Sequence, residues 1–161
     1  MRKVFHIFSE RGDEYRLCLS SEDGHNLSKE IREDFGLEVI SIELTRINGI
    51  GITSIRTLAA IEQAIAETYY PIDDAILFYY CDFLNAVPAI RKAITPQEYR
   101  SRLFSLMFHR YILHHNIQGV SEMVIEINGL DEPYFFHIIC RDRHLDAVKQ
   151  ISDKLQNDFK K

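Results

Sequence analysis

The chain has no tryptophan, three cysteines and four prolines among its 161 residues. Cys18, Cys81 and Cys140 are odd in number and far apart, with no CxxC pair and no Cys/His cluster. That spacing excludes a disulfide framework and a zinc-finger site, so no metal or other cofactor is expected. Cys81 and Cys140 lie in apolar runs and are expected as buried, reduced thiols. Seven glycines and four prolines are too few for a low-complexity tract or a linker, and no internal repeat is visible. Long apolar runs are missing too. The densest, AILFYYC, falls well short of the roughly 20 residues that cross a bilayer. The opening MRKVFHIFSERGDEY has neither a long apolar stretch nor a small-residue cleavage site, so no signal peptide is expected. These absences lead to the expectation of a cytoplasmic protein with no membrane attachment.

What is present is the composition of a folded protein, 46% hydrophobic and 27% charged, in a length that suits one domain over residues 1–161. The net charge of −5 is unevenly spread. Between residues 91 and 115 stand Arg91, Lys92, Arg100, Arg102 and Arg110 against the single acid Glu98, with His109, His114 and His115 beside them. A basic segment in an acidic chain either steers an anionic partner or pairs with acids of its own fold.

Along the chain, VFHIFS and EYRLCLS flank the turn residues Gly12 and Asp13 and predict a hairpin. LSKEIREDFG predicts a short helix stopped by Gly36, and the alternation in LEVISIELTRI predicts a strand. Thr53 or Ser54 is placed to cap a helix that runs to about Tyr70, with Ile55, Leu58, Ile61, Ile65 and Tyr69 inward. AILFYYC is apolar at consecutive positions, as a strand covered on both faces is. Thr95, Pro96 and Glu98 then form a capping-box start for a helix over 95–115. SEMVIEIN and YFFHIICR read as a second hairpin, and a last amphipathic helix follows Asp142. The fold class that results is α+β: a single domain with a mixed or antiparallel sheet of about five to six strands, AILFYYC near its middle, and three main helices packed on it.

One residue breaks the pattern. On a helical wheel Tyr111 lies within about 20° of Arg100, and Phe104 and Met107 within about 40°. Arg100 therefore sits at the centre of an apolar stripe, while Arg102, His109 and Arg110 fall on the other side, outside that stripe. A buried arginine requires an acceptor. Asp82, at the end of the central strand, is the expected partner, and Glu126 the second choice.

The YYCD strand end, the YRSRLF helix start and the FFHIICRDRHLDAVKQI segment resemble a family of small bacterial proteins known only as a domain of unknown function. The resemblance spans about residues 76–151 and implies a bacterial cytoplasmic setting, with no activity, cofactor or site attached to it. No catalytic motif stands out. Cys140 and His137 fall on opposite faces of one strand, and NGIGITSI lacks the lysine and third glycine of a phosphate loop. The expected function is thus non-enzymatic: engagement of a protein partner by the basic face of helix 95–115 through Arg91, Arg102, His109 and Arg110, with Asp82 and Arg100 organising it from beneath. A nucleic acid on the same face is the alternative, although a pI near 5.8 is low for a dedicated binder. A small molecule at the Asp82/Arg100 end of the sheet is a further one.

Overall fold

The computed structural model describes residues 1–21, 26–49, 53–81, 95–128 and 133–159. Among the described residues six strands form one mixed sheet in the order β1-β2-β3-β4-β6-β5, with four α-helices. The α+β expectation holds. The helix count is one higher than expected because Asn26–Phe35 makes a full ten-residue helix, α1, ending before Gly36 at φ +67°. The chain divides into two compact units, Met1–Leu77 and Phe78–Lys161.

In the first unit β1 (Arg2–Phe8) and β2 (Glu14–Ser20) pair antiparallel, Phe5 opposite Leu17. The turn between them uses Gly12 at φ +85°, as the Gly-Asp dipeptide predicts. Strand β3 (Glu38–Asn48) pairs antiparallel with β2, Leu19 opposite Ile42. Helix α2 (Ile55–Tyr69) starts at Ser54, whose side chain accepts from the Thr57 amide. Its buried face carries Leu58, Ile61, Ala64 and Tyr69 and packs on β1 and β2. Ile55, expected inward, is exposed: at the first helical position it precedes the turn that reaches the strands.

Strand β4 (Ala75–Cys81) begins in the first unit with Ala75, Ile76 and Leu77 consecutively buried, the mark of a strand covered on both faces. In the second unit α3 (Pro96–His114) starts at Thr95, whose hydroxyl accepts from the Glu98 amide at 3.2 Å, with Pro96 in the first turn. Strands β5 (Val120–Ile127) and β6 (Tyr134–Arg141) form the second hairpin, Val124 opposite His137. Residues 135–140 of β6 are all buried, which requires cover on both sides; α3 and α4 (Leu145–Phe159) both pack on this strand. Val148, Ile151 and Leu155 are the buried stripe of α4. No helix among the described residues is long and apolar enough to cross a membrane.

Cys140 lies at the buried end of β6. Burial, and secondarily the Asp142 carboxylate, push its thiol from 9.0 up to about 11. An unfolded chain ionises this thiol first, so between pH 9 and about 11 the folded state holds the extra proton and stability falls as pH rises. Urea midpoints measured from pH 8 to 11 should show that fall, and Cys140→Ala should flatten it. At neutral pH the thiol is expected to stay inert to a thiol-exchange reagent until the chain is unfolded.

Candidate functional site

Helix α3 has two chemically distinct sides. The wheel that placed Arg100 inward also holds in three dimensions: Gln97, Arg100, Ser101 and Met107 are buried. Arg100 keeps 7% of its surface, and its Nη2 donates to the Tyr79 hydroxyl at 3.3 Å. Tyr79 in turn stacks on Phe104, ring centroids 4.3 Å apart. The partners expected for Arg100 stand differently. Asp82 lies outside the described residues, as does Arg91, and Glu126 is exposed on β5.

The inner side carries a chain of hydrogen bonds that the sequence reading did not find. Ser101 and Ser105 are four apart and project from the same side of α3. On the sheet, Glu122 lies two residues from Val124, the residue opposite His137, so Glu122 and His137 are diagonal neighbours on one face. The two spacings match, about 6 Å along the helix and about 7 Å along the strand. Ser101 Oγ is 2.7 Å from His137 Nε2, and His137 Nδ1 is 3.1 Å from Glu122 Oε2. The Ser105 hydroxyl donates to Glu122 Oε1 at 2.7 Å. His137 is fully buried and the Glu122 side chain keeps 4% exposure. Phe104 meets the imidazole edge-on at 5.0 Å. Because a carboxylate only accepts, Nδ1 carries the hydrogen; in the neutral imidazole Nε2 then presents its lone pair to Ser101.

The outer side is where the expected binding residues lie. Arg102, His109 and Arg110 are exposed. Arg102 donates to Glu98 at 2.7 Å, an exposed i,i+4 pair of small energetic weight. His109 Nε2 stands 3.8 Å from Glu122 Oε1. Between these residues are two leucines in water: Leu106 is 60% exposed and Leu113 81%. Residues 102, 106, 109, 110 and 113 fall within an arc of about 100° and along about 16 Å of helix.

Sequence reading found the outer cations and the inward arginine. It missed the leucines, which count as core by type, and the Ser101–His137–Glu122 chain, which joins three elements. The one available signal was a pair of serines four apart beside the apolar stripe. Among the described residues no group of three or more His, Cys, Asp or Glu side chains is placed to hold a metal ion. No family model, curated protein or solved structure matches the chain, so function rests on the geometry alone.

Proposed function

We propose that the protein is a binding module that engages an acidic, amphipathic segment of a partner protein on the outer side of α3. The observation that carries this reading is the exposure of Leu106 and Leu113 on the same arc as Arg102, His109 and Arg110. Leucines seven apart on a helix face receive the apolar stripe of an opposing helix, and the cations beside them select carboxylates on its flanks. Arg100 holds α3 from beneath through Tyr79. A nucleic acid is the weaker fit, because two aliphatic side chains occupy the centre of the face and neither stacks on a base.

A synthetic helical peptide of about four turns, with leucines seven apart flanked by glutamates, tests the reading when titrated into the 15N-labelled protein. Amide shifts confined to residues 102–113 are expected. Leu106→Glu and Arg110→Glu should each weaken binding by about ten- to hundredfold, the equivalent of one leucine burial. Equal binding of a lysine-flanked peptide, or shifts centred elsewhere, would overturn it. Tighter binding of a single-stranded oligonucleotide than of the peptide would reassign the same face to nucleic acid.

A further inference from the structure

We infer that Ser101, His137 and Glu122 form a nucleophilic centre for acyl transfer, with a small ester bearing an apolar acyl group as its substrate class. This site lies on the Ser101/Ser105 side of α3, and His109 of the outer arc approaches its carboxylate, 3.8 Å from Glu122 Oε1. Three features carry it. The order hydroxyl–imidazole–carboxylate is linear, at 2.7 Å and 3.1 Å, both ordinary hydrogen-bond lengths. The carboxylate fixes the imidazole in the tautomer whose Nε2 accepts a proton from Ser101, which is the form a general base needs. Glu122 is itself held by the Ser105 hydroxyl, so the carboxylate that orients the imidazole has an anchor of its own.

A buried polar network that only fills space needs no such direction. Here the hydroxyl, the imidazole and the carboxylate are all almost wholly enclosed, Ser101 keeping 5% of its surface and the Glu122 side chain 4%. The neighbouring walls are aromatic. Phe104 packs edge-on to His137, and Tyr79 stacks on Phe104 while its own ring centroid lies 6.2 Å from the imidazole. Such walls suit an apolar acyl group and disfavour a charged one.

The step balances without any added reagent except water. Ser101 Oγ bonds to the ester carbonyl carbon as its proton passes to His137 Nε2. The tetrahedral intermediate collapses, the carbon–oxygen bond to the leaving group breaks, and Nε2–H gives that oxygen its proton, releasing an alcohol. Water then transfers a proton to Nε2 and attacks the acyl-serine. The carboxylic acid leaves, and Ser101 recovers its hydrogen.

The full chain is treated with an alkyl fluorophosphonate, on which the serine oxygen displaces fluoride, and the adduct is mapped by mass spectrometry. One phosphonyl group per chain on Ser101 is expected, with none on Ser101→Ala. The same variant should keep the wild-type circular dichroism and still melt cooperatively, a few degrees lower for the one buried hydrogen bond it loses. Saturable hydrolysis of p-nitrophenyl acetate should fall by about 10²–10⁴-fold in Glu122→Gln, which takes away the anion that sets the tautomer. A folded wild-type chain that takes up no probe would overturn the assignment. So would an adduct that maps to another residue, or equal labelling of Ser101→Ala.

Discussion

Asp13→Ala is expected to lower stability by about 3–5 kcal/mol, the cost of stripping the anion from a buried ion pair. Asp13 ends the β1–β2 turn with its side chain almost wholly out of water. Its Oδ2 lies 3.3 Å from Arg46 Nη2, on a largely buried guanidinium, and 3.5 Å from the exposed Arg11. Arg46 also lies over the Tyr15 ring at 5.4 Å, and the Tyr15 hydroxyl shares a 2.8 Å hydrogen bond with Thr53. Removing the carboxylate takes the close anion from a largely enclosed guanidinium, so the loss combines a desolvation cost with the lost attraction. Urea unfolding of Asp13→Ala, Arg46→Ala and the double variant separates these terms. The double variant should lose less than the sum of the singles. The same carboxylate explains a glycine: at Gly49, φ +115°, an added Cβ would meet Asp13 Oδ1 at 2.0 Å, so the close approach excludes any side chain there.

That cluster marks the boundary of what one sequence discloses. Local signals were legible because their causes are local. The Thr95-Pro96 start of α3, the Gly-Asp turn of β1–β2, and the doubly covered β4 each follow from neighbouring residues acting through caps, backbone freedom or periodicity. Arg100 belongs with them: helical geometry alone puts it inward, and it is inward. Its acceptor was not legible, because the choice of partner depends on which strand end lies beneath the first turns of α3. Tyr79, a hydroxyl within an otherwise apolar run, gave no polar signal of its own.

The inner chain was hidden for a different reason. Ser101, His137 and Glu122 come from α3, β6 and β5, and each reads as unremarkable in its own segment: a serine near a helix start, a histidine in an apolar strand, a glutamate in an alternating one. Only the β5–β6 register and the placing of α3 on β6 bring them together. The exposed leucines of α3 show the converse error. Residue type suggests burial for Leu106 and Leu113, yet the face already fixed by Arg100, Phe104 and Met107 turns both outward. Counting the wheel from the buried side would have exposed them.

Glu122→Ala is expected to cost about 2–5 kcal/mol, because it leaves the His137 ring N–H and the Ser105 hydroxyl enclosed without their acceptor. Glu122→Gln keeps the shape and one carbonyl oxygen, so its cost should be nearer 1–2 kcal/mol. The comparison isolates what the carboxylate does. With glutamine, one hydrogen bond survives only as acceptor and the other must be a donor. If the carbonyl turns to Ser105, the amide donates toward His137 Nδ1, and the imidazole must place its hydrogen on Nε2 and donate to Ser101. The network is still satisfied, but its direction is reversed, and Nε2 no longer accepts the serine proton. Imidazole 15N shifts should therefore move His137 from the Nδ1–H to the Nε2–H form in Glu122→Gln, while the urea midpoint falls less than in Glu122→Ala. Equal destabilisation by alanine and glutamine would mean that the negative charge itself stabilises the fold at this position. An unchanged tautomer would mean that the carbonyl faces His137 and the amide donates to the Ser105 hydroxyl, in which case Ser105→Ala should destabilise the glutamine variant further.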